Sequence, residues 1–187
     1  MDKFNVYQEG INLDMFRAFC EEHGRAMSFS KGEYFTRQGK ACRHWGFITK
    51  GHFAYTVIDS SGNEKIVGFA FQETLVGDSI SLIKNTASLT DIVAMTDAEV
   101  IVCDATDFRL ILNSDLNIRV DFAESLFEDI YSRYLRLRSL TPKERYLQII
   151  KDCPEILQYI SLKQLASYLM ITPTYLSQIR KQLTIEK

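Results

Sequence analysis

The chain has 187 residues, 46% of them hydrophobic and 25% charged, which is enough for one large buried core or two small ones and too apolar for a disordered chain. A formal net charge of −2 argues against a uniformly basic coat for nucleic acid or membrane. The charge is uneven: residues 1–140 hold 15 Lys+Arg against 20 Asp+Glu, and residues 141–187 hold 7 against 4, so an acidic body carries a basic tail.

Cys20, Cys42, Cys103 and Cys153 form no C-x-x-C pair, so neither a zinc clasp nor a redox disulfide is indicated, and buried thiols in a reducing compartment are expected. The start Met1-Asp2-Lys3-Phe4-Asn5 lacks the basic-then-apolar pattern of a leader, and no window reaches the roughly eighteen apolar residues of a membrane span. A cytoplasmic location is expected.

Leu13, Phe16, Phe19 and Cys20 fall at helical spacing and stop at His23-Gly24, predicting a short amphipathic helix. From Met27 to Asp104 the texture changes to short alternating runs rich in β-branched and aromatic residues, among them Phe53 to Ile58 and Glu99 to Cys103. Asp59-Ser60-Ser61-Gly62-Asn63 is turn chemistry and predicts a hairpin of residues 52–58 and 64–71. Six to eight such strands make a barrel or sandwich rather than a parallel sheet.

After Asp107 the period is helical again. Leu116, Val120, Ala123, Phe127, Ile130, Tyr134 and Leu137 recur in alternating steps of four and three, a heptad stripe narrow enough to predict a homodimer seam rather than a core-facing helix. At Thr141-Pro142 that helix should end and another begin, since Pro fits only a first turn and Thr is a good cap. Ser161 with Gln164 has capping-box spacing, and Thr172-Pro173 repeats the cap-plus-Pro signal. Two short helices joined by a few residues around Met170-Ile171 outline a helix-turn-helix. On its second helix, Thr174, Ser177 and Gln178 share an outward face, while Tyr175, Leu176, Ile179 and Leu183 should pack on Leu165 and Leu169.

In that order the segments Lys31-Gly32-Glu33-Tyr34-Phe35-Thr36-Arg37-Gln38-Gly39, Phe47-Ile48-Thr49-Lys50-Gly51, Ile66-Val67-Gly68-Phe69, Ser161-Leu162-Lys163-Gln164-Leu165-Ala166 and Ile171-Thr172-Pro173 to Lys181 resemble the Crp/Fnr family of bacterial transcription regulators over essentially the whole chain. The resemblance implies an α+β fold. A cyclic-nucleotide-binding-like jelly-roll (double-stranded β-helix) sensor barrel would occupy residues 1–113, a dimerisation helix 114–140 and a helix-turn-helix DNA-binding domain 141–187. It implies a double-stranded DNA operator and a second copy as partners, with RNA polymerase a further one, and no membrane partner.

By the same resemblance the effector cassette begins at Gly77-Asp78-Ser79-Ile80, with Asp78 where a ribose-binding Glu is usual. Ser88-Leu89 stand where the phosphate-neutralising Arg is expected, so ordinary cyclic AMP is disfavoured and the effector is left unidentified. Tyr131, beside the seam, could face the same pocket. The resemblance places DNA contacts on Ser161, Thr172, Pro173, Thr174, Ser177, Gln178, Arg180 and Lys181, with Gln178 at the position of a base-reading Arg; a Gln amide pairs with adenine rather than guanine. No cofactor or metal is implied: Cys20 stands alone at the N-terminus, and His23, His44 and His52 read as ordinary histidines.

Two other readings stay open. A cupin-like enzyme would want clustered His and carboxylate ligands, and no H-x-H pair or catalytic motif is present, so the chain is not expected to be an enzyme. An interaction module that no longer reads DNA is the other, because only four residues follow Leu183 and leave little room for a β-hairpin wing.

Overall fold

The computed structural model describes residues 4–185; the first three residues, including the Met1-Asp2-Lys3 start, and the last two lie outside the described residues. A 3-10 turn at Val6–Gly10 leads into helix α1 (Leu13–His23). Eight strands follow, β1 (Arg25–Phe29), β2 (Tyr34–Thr36), β3 (His44–Lys50), β4 (Phe53–Ile58), β5 (Glu64–Ala70), β6 (Leu75–Val76), β7 (Asp91–Ala94) and β8 (Ala98–Asp104), interrupted between β6 and β7 by helix α2 (Ser79–Lys84). They form two antiparallel four-stranded sheets, ordered β1-β8-β3-β6 and β2-β7-β4-β5, whose repeated crossings make a jelly roll.

Between the sheets, Ile48, Phe53, Ala70, Val76, Ile92, Val100 and Val102 are buried at alternate positions along their strands. Strand β3 is covered on both faces: Ile48 points between the sheets, while Trp45 and Phe47 pack on the other side among Phe16, Phe108 and Phe122 from the helices. That both-sided burial explains why its run reads as continuously apolar. The β4–β5 turn forms as its chemistry predicts, with the Asp59 carboxylate accepting the Ser61 and Asn63 amides at 2.9 Å each and Gly62 in the left-handed region at φ +81°.

The helical tail comprises α3 (Ala105–Ser114), α4 (Leu116–Ser139), α5 (Pro142–Asp152), α6 (Ile156–Tyr159), α7 (Leu162–Tyr168) and α8 (Pro173–Ile185). The helical period after Asp107 therefore belongs to two helices. Asp115, extended at φ −144°, breaks it and caps α4 by accepting the Asn117 amide at 2.8 Å. Both expected capping boxes form, Thr141 with Glu144 at the start of α5 and Ser161 with Gln164 at the start of α7. The single turn α6 and the 3-10 turn, each too short to show a period, were not legible in the sequence.

The C-terminal helices do not build an isolated core. Tyr146, Cys153, Ile156, Leu165, Leu169, Leu176 and Ile179 are contiguous with Ile66 and Phe69 of β5 and with Phe71 just after it. All four cysteines are free, and each is buried, the burial being what the sequence led one to expect. Among the described residues no helix is long and apolar enough to cross a membrane.

Candidate functional site

Three regions of interest are a cavity beside α2, the outer face of α4, and α8. The cavity, about 270 Å³, lies against β5, α2 and α4, and Gly77, Asp78, Ser79, Ile80 and Leu89 stand on its wall. Gly77 adopts φ +153°, and a Cβ there would stand 2.9 Å from Leu82 Cδ1, so the turn into α2 requires glycine. The Tyr55 hydroxyl holds that turn, accepting the Gly77 N–H and donating to the Gly77 carbonyl, each at 3.3 Å. Burial raises the Tyr55 pKa and pushes that of Tyr7, also on the wall, up to about 12, with the Asp129 charge adding to the latter, so both are neutral phenols.

Asp78 is committed within the protein. One carboxylate oxygen caps α2 by accepting the Ser81 amide at 3.2 Å; the other accepts the Leu89 amide at 2.7 Å and the Ser88 hydroxyl at 3.0 Å. Ser88 accordingly sits behind the wall, 3% exposed, rather than on it. The Leu89 amide and the Ser88 hydroxyl thus face a resident carboxylate.

Tyr131 is not part of the cavity. One residue is about 100° of helix rotation, so Ile130 reaches the wall while Tyr131 lies outside, its ring stacked on Phe127 at 5.7 Å and 6°. The sequence reading missed Asp129 and Arg133, which close the cavity from α4. Arg133 Nε donates to Asp129 at 2.9 Å, Nη1 to the Tyr168 hydroxyl at 2.9 Å and Nη2 to the Phe4 carbonyl at 2.6 Å. Burial opposes its charge, but Tyr168 and Asp129 outweigh that and raise its pKa. Nothing in the primary sequence marks an arginine one step off a heptad stripe as the partner of residues 35 and 129 positions away.

Helix α4 has two apolar faces. Phe122 is buried, with Ile118 and Leu126 partly so, against the barrel. The predicted stripe faces away: Leu116 is 74% exposed, Phe127 68%, Ile130 and Tyr134 55%, and Val120, Ala123 and Leu137 are exposed with them. An isolated chain thus shows water a row of large apolar side chains on one helix.

In the third region the α7–α8 turn passes through Met170 at φ +59°, and the Thr172 hydroxyl caps α8 by accepting the Tyr175 amide at 3.1 Å. Leu176 and Ile179 anchor α8 in the shared core, with Leu183 partly buried beside them. Thr172, Pro173, Thr174, Ser177, Gln178 and Lys181 are exposed, Arg180 is half-buried, and Ser161 is exposed at the start of α7. Ser177 donates its hydroxyl proton to the Pro173 carbonyl at 3.0 Å, leaving only acceptor capacity. Tyr175 departs from the expected packing: it is 44% exposed, one step round from Leu176, and joins the outward face.

Residues 26–115 match the cyclic nucleotide-binding domain family. No curated protein matches the chain in sequence. Among solved structures, FixK2 from Bradyrhizobium japonicum superimposes with a TM-score of 0.71 at 15% identity, over 87% of this chain and 85% of that one. The c-di-GMP responsive global regulator CLP from Xanthomonas campestris gives 0.67 at 15% identity over 90% and 92%, and the Thermus thermophilus catabolite activator protein 0.56 at 16% over 90% and 82%. At that identity the likeness is one of fold. With a cyclic nucleotide-binding domain matched at residues 26–115 and a long helix and a helix-turn-helix after it, the chain has the fold of these structures.

Proposed function

We propose that the protein is a DNA-binding transcriptional regulator that works as a homodimer, with a barrel cavity serving a small effector other than an ordinary cyclic nucleotide. The observation that carries the reading is α8. Its apolar residues are sunk in the core while Thr174, Tyr175, Gln178 and Lys181 project to solvent, the division a recognition helix needs to enter a major groove. The exposed stripe on α4 supports the dimer, since two copies would bury it mutually and set two α8 helices at a fixed separation. The cavity supports the effector clause: among the described residues its walls hold Asp78 and Asp129 and one cation, Arg133, which is already paired, so a cyclic phosphate would meet net negative surroundings there.

The test is selection of a duplex from random DNA, followed by anisotropy titrations of wild type and Gln178→Ala. Loss of the Gln178 amide should cost about 1–3 kcal/mol per half-site and relax preference at one base pair. Lys181→Ala should weaken binding to all sequences and lower the salt slope by about one. Equal affinity and equal base preference for wild type and Gln178→Ala would place the reading face elsewhere; failure of wild type to bind any duplex would favour an interaction module.

A further inference from the structure

Strand β5 is the edge of its sheet and pairs only with β4, so its outer N–H and C=O groups need a cover. Helix α7 supplies it: the Ile66 amide donates to Ser167 Oγ at 3.1 Å, and Leu165, Ala166 and Leu169 close over Ile66 and Phe69. Arg133 sits across this joint. Its three hydrogen bonds engage the long helix through Asp129, α7 through the Tyr168 hydroxyl and the N-terminal segment through the Phe4 carbonyl, and its guanidinium lies over the Phe4 ring at 5.2 Å. The Phe4 ring in turn contacts Phe69, Phe71 and Tyr168 at 5.3–5.7 Å between centroids. The guanidinium presents three separate nitrogens in one rigid plane to three segments; the donors of an ammonium radiate from a single atom and cannot reproduce that spacing. Arg133 and Val67 also line both the barrel cavity and a larger cleft of about 870 Å³ between the β4–β5 hairpin, α4 and α7.

We propose that Arg133 is a positioning residue, a latch that fixes the helix-turn-helix unit on the edge of the barrel through Tyr168 and Phe4 and thereby sets the attitude of α8. The latch spans a joint whose two sides carry different tasks in the function proposed above, and it borders the barrel cavity, so the same side chain adjoins the sensing space and holds the reading unit. Its effect on DNA rests on that proposed function; its effect on docking does not.

Native-state hydrogen exchange of the full chain tests it. In Arg133→Lys the Ile66 amide should exchange at least about tenfold faster, and in Tyr168→Phe, which removes one hydrogen bond and little else, about threefold faster. The Gly46 and Val102 amides of the central β3–β8 pair should keep wild-type rates in both variants. Equal acceleration at all three sites would make Arg133 an ordinary support of the whole fold, and no acceleration at Ile66 would remove the latch; either result overturns the proposal. On a selected duplex, Arg133→Lys should change affinity at least about threefold although no residue of the α8 face is altered. Unchanged affinity with a loosened Ile66 amide would show that docking does not set the attitude of α8, whereas a wild type that binds no DNA would sink the functional reading and leave the exchange result to judge the latch.

Discussion

The Asp78 carboxylate takes three donors from two segments, Ser81 from its own helix and Ser88 and Leu89 from the loop before β7. An internal anion of this kind both orders the cassette and opposes a second anion beside it. Asp78→Ala removes a helix cap and leaves the Leu89 amide unpaired, so it should cost about 2–4 kcal/mol in urea denaturation. Isothermal titration of wild type with cyclic AMP should show no binding in the micromolar range; a micromolar dissociation constant would mean that a cation other than Arg133 meets the phosphate. His52 gives a second prediction. It is 4% exposed between Phe71 and Tyr159, and burial lowers its pKa from the usual 6.5. The folded state thus binds this proton less readily than the unfolded chain, so the stability tied to neutral His52 is present above about pH 6.5 and is lost as pH falls through the lowered value. His52→Gln should flatten the fall of Tm below pH 6.5 relative to wild type, and a parallel fall in both proteins would assign the effect to other groups.

At the scale of elements, α4 does two jobs with two stripes. The inward one, centred on Phe122, is shared with Phe16 and Phe108 at ring separations of 5.4–6.0 Å, and the outward one is left largely exposed by a single chain, with Ile130 bordering the barrel cavity and Tyr134 and Leu137 the larger cleft. A narrow heptad stripe exposed over most of a 24-residue helix is the geometry of a two-stranded seam. Phe127→Glu would set two like charges against each other across it. Sedimentation should show wild type as a dimer at micromolar concentration and Phe127→Glu as a monomer with unchanged helical content; a monomeric wild type would refute the seam.

For the molecule as a whole, the continuity of the C-terminal core with β5 predicts cooperative unfolding. Trp45 is the one tryptophan in the sequence and is 1% exposed among Phe16, Phe19 and Phe108, so its fluorescence reports the helix-covered face of the barrel, in a core cluster other than that of the joint with α7. Because Ile66, Phe69 and Phe71 complete the core of the helix-turn-helix unit, Trp45 fluorescence and far-ultraviolet circular dichroism should give coincident urea transitions. A helical transition preceding the fluorescence change would show that the joint adds little to the unit's stability.

The sequence by itself determined what local chemistry controls: the period-two strands, the Asp59–Gly62 turn, the caps at Thr141, Ser161 and Thr172, and the stripe on α4. Each depends on neighbours within four or five residues and on the contrast between apolar and polar positions, which one strand of text records. The resemblance it carries also led to the expectation that Ser88-Leu89 stand where a phosphate-neutralising arginine would be. Only the tertiary structure decided that Asp78 turns inward onto those residues, that Tyr131 and Tyr175 lie one helical step off the faces expected of them, and that Arg133 joins α4 to Phe4 and Tyr168. Those outcomes depend on which side chains the fold brings together across 10 to 129 residues, and on a rotation of about 100° per helical residue that a polar-apolar pattern fixes only to within one position.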